Sequence, residues 1–194
     1  MIDIKRPQSR QTIPLHAKQV FKGIIFEAWQ WQQPMFDGPA QTFEKLKRSD
    51  TINVIPVTPQ GKIVLGRQSQ PGVGQFVGVF GGRIDDGEKP EQTARRELLE
   101  ETGMEAAKLI LWDSGQLYEK IDWAYYTFIA KDCQKVQDPH LDAGEKIETF
   151  EVSFDQFVEL AAQENFRDTE ISLKLFRLSQ NQAKFGAFKI LVLL

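Results

Sequence analysis

Residues 81–104, GGRIDDGEKPEQTARRELLEETGM, carry seven carboxylates and three arginines. Three of those acids, Glu97, Glu100 and Glu101, fall within the six-residue run RELLEE. On an isolated helix, carboxylates spaced i, i+4 repel by a few tenths of a kcal/mol per pair, so such crowding needs a compensating partner. Pro90 suits the first position of a helix and Gly103 a C-terminal cap, which predicts a helix over 90–102. At about 100° per residue, Glu97 and Glu101 nearly stack and Glu100 lies beside them. Ala94 and Leu98 sit on the adjoining flank, so one edge of the helix packs into a core while the acidic strip borders a cleft. Hard oxygen donors on a rigid element suit Mg²⁺ or Mn²⁺, which would cancel the repulsion. A solvated acidic face paired with Arg95 and Arg96 satisfies the charge pattern equally well.

Spacing separates the two. Gly82, five residues, Glu88, seven residues, Arg96-Glu97-Leu98, one residue, Glu100-Glu101, one residue, and Gly103-Met104 match G-x5-E-x7-R-E-U-x-E-E-x-G-U, with U apolar. The chain therefore resembles the Nudix hydrolases. Its flanks NVIPVTPQGKIVLGRQSQPG and EKIETFEVSFDQFVEL resemble the ADP-ribose and nucleoside-diphosphate-sugar pyrophosphatases, and KGIIFEAWQWQQ with FEKLKRSD resembles the N-terminal sheet of that branch. The resemblance implies an α/β fold, a Nudix-type α/β/α sandwich with a mixed sheet. It also implies a small N-terminal antiparallel β element exchanged in a homodimer. The corresponding division is 1–48 for dimerisation and base binding and 49–194 for the hydrolase domain.

The same resemblance assigns roles. Glu97, Glu100 and Glu101, with the backbone carbonyl of Gly81, would ligate Mg²⁺ or Mn²⁺. Glu88 and Arg96 would form a supporting ion pair, and Gly82 would let the loop pass close to metal and phosphates. A bound cation would neutralise the diphosphate and activate water for in-line attack while a carboxylate accepts its proton. In the branch that carboxylate often comes from a loop after the box, here DPHLDAGEKIE (138–148). Glu145 is favoured over Asp142 and Glu148 because it follows Gly144; otherwise the base falls within the box, at Glu100 beside Glu101.

Arg67 is a candidate phosphate contact, and Trp29, Trp31 and Phe43 could stack a base, although packing of an aromatic-rich sheet explains them too. Two departures from the branch bear on the substrate. Gln70 stands where a second arginine is common, and Gly78 where a glutamate is common.

Working outward, 41% hydrophobic and 26% charged residues over 194 positions support one substantial core. A net charge of -3 gives no electrostatic reason to bind nucleic acid. The single Cys133 and the absence of an apolar leader in MIDIKRPQSRQTIPLH suggest a soluble, cytoplasmic protein with no membrane partner. The terminal ILVLL falls far short of the roughly 20 residues that span a bilayer and reads as a terminal strand or docked tail. QVFKGIIFEAWQWQQ (19–33) and QTFEKLKRS read as paired strands, and TINVIPVT with KIVLGRQS as a hairpin about PQG. QFVGVFGG, KLILWDSGQLYE, IDWAYYTFIA and EKIETFEVS read as further strands. FDQFVELAAQEN and DTEISLKLFRLSQ read as helices.

The function these features imply is metal-dependent hydrolysis of the diphosphate of a nucleotide sugar (ADP-ribose, ADP-, GDP- or UDP-linked) to a nucleoside monophosphate and a sugar phosphate. A Nudix hydrolase of nucleoside triphosphates or dinucleoside polyphosphates, and a non-catalytic Nudix ligand sensor, remain alternatives.

Overall fold

The computed structural model describes residues 4–194. Three strands open the chain: β1 (Lys18–Lys22), β2 (Glu27–Gln33) and β3 (Gln41–Lys47). β4 (Thr51–Pro56), β5 (Ile63–Gln70) and β6 (Gly74–Gly78) lead to α1 (Pro90–Thr102). Then come β7 (Met104–Glu105), β8 (Lys108–Gly115), β9 (Ile121–Asp122), β10 (Tyr125–Lys131), β11 (Gln134–Lys135) and β12 (Lys146–Val152). The chain closes with α2 (Phe154–Ala161), α3 (Thr169–Ser179) and α4 (Gln182–Leu193).

α1 spans the predicted residues. Pro90 occupies its first turn, and Gly103 ends it at φ 70 with its N–H donating to the Leu99 carbonyl at 2.8 Å. Ala94 and Leu98 are fully buried and pack with Ile52, Val54 and Phe128 beneath the sheet β4-β10-β8. β10 runs parallel to β4 and antiparallel to β8, so this sheet is mixed. A second, antiparallel sheet, β12-β5-β6, packs with α2, α3 and α4 around Phe157, Phe166, Ile171, Leu175 and Phe188. Helices thus cover both sides of the paired sheets, the expected sandwich.

Three expectations about elements are corrected. The stretch 19–33 is not one strand: it turns at Gly23, whose N–H donates to the Phe26 carbonyl, and folds back as the β1–β2 hairpin. β4 and β5 do not form a hairpin ladder. They touch through one Val57–Ile63 bridge and then part, β4 to β10 and β5 to β12 and β6, because Pro56 cannot donate to a ladder and both strands are apolar enough to be interior. The terminal ILVLL is not a strand but, as the docked-tail alternative had it, packs on the core, as the end of α4 with Val192 fully buried. Asn181 caps α4 by accepting from the Lys184 N–H at 3.1 Å, and the buried Lys131 ammonium donates to the Val192 carbonyl at 2.5 Å, satisfying the helix's last turn.

The N-terminal sheet runs β1-β2-β3-β9, so a short strand from beyond position 120 joins its edge. Arg6 reaches both Asp50, at 2.7 Å, and Asp122, at 3.0 Å, and the buried Lys45 ammonium donates to Ser9 Oγ at 2.6 Å. Val20, Phe21, Ile24, Ile25 and Phe36 stand exposed on this element.

Candidate active site

β4 positions the site. The segment after β6 does not continue in the antiparallel sheet but crosses to the free edge of β4, where Phe80 bridges Val54 and Arg83 bridges Thr51. That crossing carries the Gly81-Gly82 loop across the N-terminal half of β4 and against α1. Gly81 is at φ 152, and any side chain there would collide with the Ile52 carbonyl. At Gly82 a Cβ would fall on the Glu97 carboxylate. Gly81 therefore requires glycine for its backbone to pass this close, whereas at Gly82 a side chain would push the Glu97 carboxylate out of its place.

On the helix side, Arg96 gathers the box. Its guanidinium contacts Glu88 at 3.1 Å, Glu97 at 2.9 Å and Glu100 at 2.8 Å. The hydrogen bond from Arg96 holds the Glu88 carboxyl below its ordinary range, and Glu88 also accepts from Thr93 Oγ1 at 2.8 Å. Burial pushes the Glu97 carboxyl up, against the pull of Arg96. Glu101 is buried most deeply, at 7% exposure, and accepts from the Gly81 N–H at 2.7 Å. Desolvation raises its carboxyl to about 8, with Glu97, Glu145 and Asp168 adding like charge.

Two adjoining cavities open above these groups and share Gly81, Gly82, Arg83, Glu101 and Glu145. The smaller, about 300 Å³, is walled by Glu97, Glu100, Arg96, His140 and Asp142. The larger, about 400 Å³, is lined further by Asn53, Asp168, Glu170, Arg48, Trp123 and Arg167. An acidic pocket thus adjoins a cleft whose lining includes Arg48, Arg83 and Arg167. The Asp168 carboxyl is raised by burial to about 7 and accepts from the Val79 N–H at 2.8 Å. Asn53 donates to Glu170 at 2.5 Å. Arg48 lies 5.4 Å from the Trp123 ring and 5.7 Å from Phe26, and its buried Nε has no hydrogen-bond partner among the described residues.

The residues singled out from the sequence divide into two groups. Gly81, Gly82, Glu97, Glu100, Glu101, Arg96 and Glu145 line the cavities, with Glu88 behind them on Arg96. Glu145 comes from a distant segment of the chain: Lys146 pairs with Ser69, which sets Glu145 opposite Gln70, and both line the larger cavity. Arg67, by contrast, faces away. Its guanidinium lies 4.1 Å over Phe150 and 3.7 Å from Glu148, in a separate surface depression, because alternation along β5 sends Gln68 and Gln70 to the cleft instead. Trp29, Trp31 and Phe43 also lie outside both cavities. Trp29 Nε1 donates to Glu27, and Trp31 is buried with its ring 6.1 Å from Phe43. Arg48, Asn53, Trp123, Arg167 and Asp168 line the cleft without having been singled out. The only hint was that Arg48 directly follows β3 in FEKLKRSD.

The two departures acquire a geometry. A Cβ at Gly78 would stand 2.9 Å from Asp168 Oδ2, so a carboxylate reaches that part of the wall from the start of α3. Beside Gln70 the cation is Arg167, whose Nη1 donates to Gln70 Oε1 at 3.0 Å.

A family model described as the NUDIX domain matches residues 47–175. The chain belongs to the Nudix family. With its box complete it is a Nudix hydrolase, a pyrophosphatase. Among curated relatives, the ADP-ribose pyrophosphatase of Bacillus subtilis (strain 168) is 27% identical over 172 residues, covering 86% of this chain and 91% of that one. The ADP-sugar pyrophosphatase of Mus musculus is 36% identical over 94 residues, 42% of each chain. A solved structure titled as an ADP compounds hydrolase superposes with a TM-score of 0.69 at 18% identity, covering 91% of this chain and 95% of that one, and shares its fold. No described helix is long and apolar enough to cross a membrane.

Enzymes of this family generally work with a divalent cation, and the donor set here fits one. Glu101 is a buried carboxylate that accepts from the backbone N–H of Gly81, with a second carboxylate, Glu97, close enough to raise its pKa further. The glycine at 82 leaves open the space a side chain would fill against Glu97. Among the described residues no three acids or histidines converge tightly enough to ligate an ion as they stand. Arg96 Nη1 bridges Glu97 and Glu100 in this arrangement, so these side chains must turn to take up a cation.

Proposed function

We propose that the protein hydrolyses the diphosphate bond of a nucleoside diphosphate sugar, ADP-ribose or another ADP-, GDP- or UDP-linked sugar, with Mg²⁺ or Mn²⁺. The observation that carries the reading is the convergence of Glu145, from the turn before β12, with Glu97 and Glu101 of α1 at two adjoining cavities, the larger of which is also lined by Arg48, Arg83 and Arg167. The acidic cavity suits a cation-bound diphosphate, and the adjoining cavity, lined by arginines and Trp123, suits the remainder of a two-part nucleotide. The similarity to an ADP-ribose pyrophosphatase over most of both chains supports this substrate class.

Glu97, Glu100 and Glu101, with the Gly81 carbonyl, hold the cation, which when bound supplies charge neutralisation of the diphosphate and acidifies water. Arg96 and Glu88 keep the carboxylates in register. Glu145 accepts the proton of the attacking water, a role open to a carboxylate on the pocket's opposite rim. Arg48 and Trp123 hold the far end of the ligand, Trp123 being fixed by its Nε1–H donating to Thr51 Oγ1 at 3.0 Å. Residues 1–48 form the dimerisation and base-binding element, with the exposed Val20, Phe21, Ile24 and Ile25 as the apolar surface a second copy would cover.

The test is a panel of ADP-ribose, other nucleotide sugars, nucleoside triphosphates and dinucleoside polyphosphates, with Mg²⁺ and with Mn²⁺, assayed for released phosphomonoester. Nucleotide sugars should turn over well above triphosphates. Turnover of triphosphates alone would refute the substrate class, and binding without turnover would favour a ligand sensor.

A further inference from the structure

Gln70 ends β5 with its amide between two charges of opposite sign. Its Oε1 accepts from Arg167 Nη1 at 3.0 Å, and its Nε2 donates to Glu145 Oε1 at 3.4 Å. The orientation of that amide is fixed by chemistry. A guanidinium has only donors and a carboxylate only acceptors, so turning the amide over would set N–H against N–H and oxygen against oxygen. Arg167 is itself held on two sides. Its guanidinium lies 4.6 Å over the Phe76 ring, and its backbone N–H donates to the Val77 carbonyl at 2.9 Å. On the other side, the Glu145 N–H donates to the Asp142 carbonyl at 3.0 Å, closing a turn that lies along Pro71 and brings Glu145 opposite Gln70 in the register of β12 on β5.

We propose that Gln70, oriented by Arg167, is a positioning residue that keeps the Glu145 carboxylate turned into the acidic cleft. The amide converts a fixed positive charge on the α2–α3 connection into a directed donor for a carboxylate carried on a turn. A direct Arg167–Glu145 ion pair would instead draw the carboxylate out toward Arg167 and occupy its oxygens. This inference rests on Glu145 acting as the base, and the experiment separates the two ideas.

Gln70→Met keeps length and removes both polar ends; Gln70→Thr, compatible with a strand end but too short to reach, is the second variant should the first fold poorly. Each should lower kcat roughly tenfold, the usual effect of losing a hydrogen bond to a charged group, while KM and the Mg²⁺ midpoint stay within about twofold. In a Glu145→Gln background, Gln70→Met should cost nothing further, since residues that act as one unit are not additive. Arg167→Met, which leaves the Gln70 amide without its orienting partner, should lower kcat by a similar factor. If Glu145→Gln is inactive but Gln70→Met and Gln70→Thr keep wild-type kcat, the positioning role is wrong and the base assignment stands. Equal losses from Gln70→Met with and without Glu145 would also overturn it. Wild-type kcat in Glu145→Gln would remove the base and this proposal together.

Discussion

Replacing Glu101 by glutamine should make the metal-free protein more stable at alkaline pH while abolishing its activity. Glu101 is 7% exposed, accepts one backbone N–H, and has its carboxyl raised by burial from an ordinary 4.5 to about 8. Between those two pH values the folded chain holds a proton that the unfolded chain has released. Stability therefore falls as pH rises through about 4.5 to 8, and the full cost is present above 8. At about 1.4 kcal/mol per pH unit, the ceiling is roughly 5 kcal/mol; local relaxation and water entry bring the expected cost to about 2 kcal/mol. Glutamine keeps an acceptor for the Gly81 N–H and offers its amide protons to Glu97. For a chain of this size, about 2 kcal/mol corresponds to roughly 4–8 °C in Tm. Calorimetric melting in EDTA should show Glu101→Gln above wild type by that margin at pH 8.5 and level with it at pH 5. Saturating Mg²⁺ should reverse the order, since only the wild type gains the linkage term of a tightly bound ion. A Tm difference that does not change with pH, or a variant less stable than wild type at pH 8.5 in EDTA, would refute the reasoning.

The apparent Mg²⁺ affinity should rise as pH goes from 6 to 8, by up to about tenfold per unit, and level off above 8, because Glu101 must release its proton to bind. Titration calorimetry in buffers of different ionisation enthalpy checks this through the number of protons released. Gly82→Ala should leave the melting temperature within a few degrees of wild type but weaken Mg²⁺ binding and lower kcat by at least about a hundredfold, as its methyl group displaces the Glu97 carboxylate. A near-normal metal titration for this variant would place the ion elsewhere.

How much of this was legible in the chain depended on the range of the interaction. α1 could be read to the residue, because its start, its cap and its acidic face are set by neighbours within one or two turns: Pro90, Gly103 and the spacing of Glu97, Glu100 and Glu101. The Nudix box was legible for the same reason, since metal ligands on one helix obey helical geometry. The partnership of Arg96 with Glu88 needed only the short loop before the helix. That the strand alternative for ILVLL fails has a local cause too. ILVLL is apolar on every face, so periodicity says nothing, and the helix is settled by the Asn181 cap and by Lys131 meeting its last carbonyls from β10.

Tertiary structure alone decided which strand lies beside which. The chain could show that 51–58 and 62–69 are strands, but not that they part into different sheets, because either pairing satisfies the local hydrogen bonds and only the packing of two cores chooses. That choice turns Gln68 and Gln70 inward and sends Arg67 outward, since one step along a strand reverses the face. It also brings Arg48 and Asn53 together with Arg167 and Asp168, from stretches more than a hundred residues apart in the chain, to one cleft. Their joint meaning depends on distances in space that no local pattern encodes. The acids and their spacing were determined by the sequence of one helix; the walls around them, and the Arg167–Gln70–Glu145 contact at the mouth, exist only once β5, β6, β12 and the α2–α3 connection have folded together.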